Sequence, residues 1–211
     1  MELEFCAENA TLVGRAIGLG ATRIELCDNL AVGGTTPSYG VIKETVGLAH
    51  SQGARVMVMV RPRGGSFEYD ERELAIMETD IGVARQLGAD GVVFGCLRDG
   101  WLDEAANRRL LELARGMEVT FHMAFDDLPT MRDRLRAIDW LACHGARRIL
   151  THGGVAGTPV EDNLPVLRDY VNHAAGRIGI LPGGGVTYEN VRRVCAALGV
   201  CEAHGTRIVA L

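Results

Sequence analysis

With 211 residues, 47% of them hydrophobic, and a formal net charge of −5, the chain is long enough for one buried core and lacks the basic balance of a nucleic-acid binder. No apolar run approaches the roughly 20 residues that cross a bilayer, and the opening acidic residues Glu2 and Glu4 are unlike the basic start of a secretory leader. Six cysteines without a C-x-x-C pair are expected to be reduced thiols in a cytoplasmic protein.

Eight short apolar runs follow one another, at 3–6, 23–27, 56–61, 91–95, 119–122, 148–151, 178–183 and 201–204, and their starts lie 20 to 35 residues apart. Helix-like stretches separate them. Asp70 precedes the apolar stripe Leu74, Met77, Ile81, Ala84 and Leu87, which has helical spacing and a capping residue in front of it. Thr36-Pro37-Ser38 is a second start signal, and Thr187 a third, ahead of Val191, Val194 and Leu198. Gly20, Gly53, Gly88, Gly145 and Gly199 each stand between a helix-like stretch and the next run, where a left-handed residue ends a helix. Strand and helix alternating eight times predict a single-domain α/β fold, a TIM-type (β/α)8 barrel of parallel strands. Only seven residues follow His204, so the barrel is expected to lack its last helix. The outer faces of the first and last strands are then expected to be uncovered, and the chain to form a homo-oligomer.

Active sites of this fold lie at the C-terminal ends of the strands. Side chains alternate across a strand, so the apolar Phe5, Ile24, Leu26, Val56, Val58 and Val60 belong to the helix-facing layer. Glu4, Cys6, Arg23, Glu25, Cys27, Met57, Met59, Arg61, Thr120, His122, Thr151, Glu202 and His204 then point inward. Such an interior is unusually charged for a barrel. Either it is an ion-pair network, with Glu4, Glu25 and Glu202 neutralised by Arg23, Arg61 and Arg63, or it is a ligand site.

Several motifs favour the site. Arg61-Pro62-Arg63-Gly64-Gly65 sets two guanidiniums toward one small volume, as a carboxylate or phosphate requires. The glycine-rich turns at Gly153, at Gly183, Gly184 and Gly185, and at Gly205-Thr206 offer backbone N–H groups where this fold often holds phosphate. His122 is a candidate acid, base or metal ligand with Asp126 to orient it. Cys6 and Cys27 end the same E-x-C pattern on neighbouring strands, about 4.8 Å apart across the sheet, and two thiolates near the thioether of Met59 suit soft Cu(I).

With those segments together, the chain resembles the copper homeostasis protein CutC family. The resemblance is carried by E-x-C at 4–6, R-I-E-L-C at 23–27, G-G-x-T-P-S-x-G at 33–40, R-P-R-G-G-x-F-x-Y at 61–69, T-F-H-x-A-F-D at 120–126, G-G-G-V at 183–186 and E-x-H-G-T at 202–206. It implies a cytosolic TIM-like barrel linked to copper tolerance, with Cu(I) held by cysteines. Met123 stands where the resemblance leads one to expect arginine, and His152 where it leads one to expect a small polar residue. Two readings follow: a Cu(I)-binding protein using Cys6 and Cys27, or an enzyme acting on a small anionic or phosphorylated substrate. In the second, His122, Glu25 or Glu202 are acid–base groups, Arg61 and Arg63 the clamp, and Asp126 and His204 supporting residues.

Overall fold

The computed structural model describes residues 1–155 and 157–211. Eight parallel strands carry the architecture: β1 (Glu2–Glu8), β2 (Arg23–Cys27), β3 (Arg55–Met59), β4 (Gly91–Phe94), β5 (Glu118–Phe121), β6 (Arg148–Thr151), β7 (Gly179–Pro182) and β8 (Glu202–Gly205). They pair in the order β8-β1-β2-β3-β4-β5-β6-β7. β7 and β8 lie side by side without a ladder, and the seam is closed above them where Tyr188 N donates to Arg207 O at 2.8 Å. The result is a nearly closed TIM-type barrel.

Among the described residues, seven α-helices wrap it: α1 (Val13–Gly18), α2 (Tyr39–Ser51), α3 (Glu71–Gln86), α4 (Glu104–Leu113), α5 (Met131–Cys143), α6 (Leu164–Ala174) and α7 (Val191–Leu198). Asp70 and Glu73 form a reciprocal capping box at the start of α3, and Ser38 caps α2. All five glycine joints adopt positive φ, between 69° and 105°, which is why glycine recurs there. Thr187 is not a helix cap: it sits in the turn before α7, accepting from Glu189 N at 3.3 Å while Asn190 Oδ1 accepts from its N–H at 2.8 Å. A two-stranded antiparallel ribbon, Leu97–Arg98 with Trp101–Leu102, interrupts the β4–α4 connection. Asp99 and Gly100 form its tip at φ 51° and 74°, the backbone that a two-residue hairpin requires.

The predicted alternation holds. Phe5, Ile24, Leu26, Val56, Val58 and Val60 join the large core between strands and helices. Cys6, Cys27, Met57, Met59 and Val93 form a separate small cluster inside the barrel, with Leu30 packed against it. Met57 reaches across to Gly91, where an added Cβ would lie 2.3 Å from Met57 Cε and 2.4 Å from Glu118 O; β4 begins with glycine because nothing larger fits.

Residues 206–211 form no helix, as expected. The exposed apolar patch expected in its place does not form. Ile208 and Val209 are buried in the outer core, and so are Phe5 and Ala203; Leu3 is partly buried and Cys201 exposed. No described helix is long and apolar enough to cross a membrane.

Candidate functional site

The polar interior of the barrel is stacked in levels. At the floor, the first residues of β2, β3 and β6 are arginines at one height. Arg23 pairs with Glu2 (2.8 Å), Glu202 (2.9 Å) and Glu4. Arg55 pairs with Glu118 (2.8 Å) and Glu2, and Arg148 with Glu202 (3.3 Å) and Glu118. Glu202 therefore belongs to the floor and not to the mouth. It opens β8, in register with Glu2, a full strand length below the loops. The neutralising arginines are Arg23, Arg55 and Arg148 rather than the expected Arg61 and Arg63. Arg148 opens the run at 148–151 and Arg55 stands just before the run at 56–61, but their common level with Arg23 is a product of the fold.

One level up, three carboxyl and imidazole groups meet two thiols. Glu4 Oε1 lies 2.8 Å from His204 Nδ1, and Glu25 Oε2 lies 3.9 Å from the same nitrogen. The thiols of Cys6 and Cys27 reach Glu25 Oε1 at 3.7 and 3.6 Å. Sγ of Cys6, Sγ of Cys27 and a Glu25 oxygen all lie within 4.8 Å of one another. Burial alone would raise Glu4, but the positive Arg23 and His204 outweigh it and hold it down to about 2. Burial works against the His204 imidazolium, yet Glu25, Cys6 and Glu4 raise its pKa well above the usual imidazole value. Burial pushes Glu25 up to about 8, with the charges of Cys6 and Glu4 adding to it. The Cys27 S–H beside it holds Cys6 down to about 5, against burial and with His204 helping; Cys27, as that donor and itself buried, is pushed well above the usual thiol range. Cys6 is thus the thiol held nearer its thiolate form, and the thiolate is the form that ligates a metal cation.

Above the thiols a cavity of about 330 Å³ opens to the mouth, with Cys6, Glu25, Met59, Arg61, Phe67 and His122 on one side. Gly184, Gly185, Gly205, Thr206 and Arg207 form the opposite rim. Arg61 is buried, and its guanidinium donates to the carbonyls of Val32 (2.8 Å), Gly34 (2.9 Å) and Gly65 (2.9 Å). Only its Nε is left without a partner. Arg63 does not join it. It turns outward to Glu73 at 2.5 Å and to the carbonyls of Ser66 and Glu68, and it lies over Tyr69. The pair of cations thus becomes one cation at the site and one strut of its loop.

His122 ends β5. Its Nδ1 accepts from Ala124 N at 3.3 Å, so the ring hydrogen sits on Nε2, and Nε2 has no partner. Burial, with Arg61 nearby, pushes its pKa down to about 3; it is a neutral donor. Asp126 does not orient it. The carboxylate accepts instead from Thr151 Oγ1 at 2.5 Å and His152 N at 2.9 Å, tying the loop after β5 to the loop after β6. Gly153 packs against Leu167, where a Cβ would come within 2.7 Å, and Gly183 N donates to Thr151 O at 3.0 Å; neither faces the cavity. Gly184, Gly185, Gly205 and Thr206 do, and no partner is found among the described residues for the N–H groups of Gly184, Gly185 and Thr206. Met123 lines the cavity, while His152 turns away to Thr158 O at 3.0 Å. Sequence reasoning passed over Phe67 and Leu30 as wall residues; the F in R-P-R-G-G-x-F was the available signal for the first.

The sequence model of the CutC family matches residues 1–209. A CutC family protein of Enterococcus faecalis is 56% identical over 207 residues, covering 98% of this chain and 99% of the relative. The human copper homeostasis protein cutC homolog is 39% identical over 203 residues, 96% of this chain and 71% of the relative. The crystal structure of a copper homeostasis protein CutC from Streptococcus agalactiae superimposes with a TM-score of 0.95 at 48% identity, covering 99% of this chain and 100% of that one. The chain belongs to the CutC family.

Proposed function

We propose that this chain binds Cu(I) through Cys6 and Cys27 and serves copper homeostasis in the cytoplasm. The observation that carries the reading is the placement of two thiol sulfurs and a Glu25 oxygen within 4.8 Å of one another inside the barrel. The copper homeostasis names of the human and streptococcal relatives agree with it. Cu(I) is soft and takes sulfur ligands in low coordination number. The surroundings are soft as well, since Met57 and Met59 share the same inner cluster. Cys6 borders the cavity and supplies the entry side, whereas Cys27 is buried behind it. Glu25 lies within reach of both sulfurs, and thiol protons are released when a metal binds. The floor of ion pairs closes the far end of the barrel, so a cation entering from the mouth stops at the thiol level.

The test is a competition titration of the full chain with Cu(I) against a strong Cu(I) chelator under reducing conditions. The wild type is expected to withhold one equivalent. Cys6→Ser with Cys27→Ser should lose that equivalent while keeping its circular dichroism spectrum. Retention of copper by the double variant refutes the assignment.

A further inference from the structure

Beyond the metal reading, the upper cavity has features that a thiol-bound cation does not use. Among the described residues, few buried side-chain polar atoms lack a hydrogen-bond partner, and three of them, Glu25 Oε2, Arg61 Nε and His122 Nε2, belong to side chains that line this cavity. Leaving a buried polar atom unsatisfied is unfavourable, so three such atoms around one cavity mark the place of an absent partner. Two are N–H donors and the third is a carboxyl oxygen. The opposite rim offers the free N–H groups of Gly184, Gly185 and Thr206 beside the exposed Arg207.

We propose that the mouth of the barrel binds a small phosphorylated hydroxycarbonyl compound. Its carbonyl oxygen accepts from Arg61 Nε–H and His122 Nε2–H, and its neighbouring hydroxyl pairs with Glu25 Oε2. Its phosphate rests on the Gly184, Gly185 and Thr206 N–H groups and Arg207. The 330 Å³ cavity is at the small end of the range for metabolite sites. Phe67 is the cover of the two donors. Its ring lies 4.8 Å from Arg61 Cζ and 4.7 Å from the His122 ring centroid. A second cavity of about 460 Å³, bordered by Phe67 and Met123 on its near side, gives the ring a volume to swing into when the ligand arrives.

Calorimetry on the copper-free full chain, with dihydroxyacetone phosphate as the probe, tests the assignment. Inorganic phosphate and dihydroxyacetone are the two half-ligand controls. The whole compound is expected to bind at least about tenfold tighter than either half, as one added hydrogen-bonded contact of about 1.4 kcal/mol implies. Phe67→Ala should tighten it by removing the cover. His122→Asn places an amide oxygen near the position of Nδ1 and drops the Nε2 donor, and it should weaken binding about tenfold; Arg207→Ala, an exposed substitution, should do the same from the phosphate side. The titration is run on the copper-free chain, so its outcome does not depend on the copper assignment. No binding at millimolar concentration by either the wild type or Phe67→Ala overturns the proposal. So does equal affinity for inorganic phosphate and the whole compound, or unchanged affinity in both His122→Asn and Arg207→Ala.

Discussion

His122 is the side chain whose state is most fully determined by its surroundings. A backbone N–H occupies Nδ1, burial and Arg61 oppose a second proton, and the ring is left neutral with its hydrogen on Nε2. Nitrogen NMR is predicted to show that tautomer unchanged down to about pH 3; an imidazolium signature at pH 5 contradicts it. The same depression has a stability consequence. Its folded pKa of about 3 lies below the usual 6.5, so between those values the unfolded chain takes up a proton that the folded chain refuses. Stability from this residue is therefore present above pH 6.5 and falls as the pH drops toward 3. His122→Asn should lose less of its denaturation midpoint between pH 7 and pH 4.5 than the wild type does, and an equal loss in both refutes the linkage. Strand alternation placed Glu4, Cys6, Glu25, Cys27, His122 and His204 correctly from sequence. Alternation gives the side of the sheet but not the height along the barrel axis, so it could not assign Glu202 to the floor. Nor could it foresee that Arg63 and Asp126 find loop partners nearer than the cavity, since those partners arrive by folding of the loops.

Strands and helices were legible because their signals are local: a short apolar run, a cap in front, a left-handed glycine behind. The capping box at Asp70 is such a signal, and Asp70→Ala is predicted to cost about 1 kcal/mol by urea denaturation; no change at all would show that α3 is held by its packing alone. The ribbon at Leu97–Arg98 and Trp101–Leu102 escaped notice because its strands are two residues long, too short for a period, although Asp99-Gly100 is a hairpin turn pair. Gly91 was read as part of a strand, but its contacts with Met57 and Glu118 are tertiary and leave no mark in the sequence. Gly91→Ala is expected to destabilise the protein by about 3 kcal/mol through overpacking. Thermal or chemical denaturation settles it, and a loss under about 0.5 kcal/mol would mean that Met57 moves aside freely.

The whole molecule is a graded column: ion pairs at the floor, shared protons above them, thiols next, and an open cavity at the mouth. In the tail, Ile208 and Val209 are buried in the core cluster that also holds Phe5 and Ala203. Deleting 208–211 should cost about 3–6 kcal/mol from the two buried side chains, and light scattering should then detect association through the uncovered Phe5 face; a truncated chain as stable and as dispersed as the full one refutes that role. This burial was not foreseen from sequence, because five residues without periodicity carry no sign of what they pack on. The proposed copper site in this column is the level of Cys6 and Cys27. X-ray absorption at the copper edge, on the full chain loaded with one equivalent of Cu(I), measures that directly. Two sulfur scatterers are predicted in the wild type and none in Cys6→Ser with Cys27→Ser. A copper shell of nitrogen and oxygen alone, or an unchanged sulfur shell in the double variant, would contradict the account.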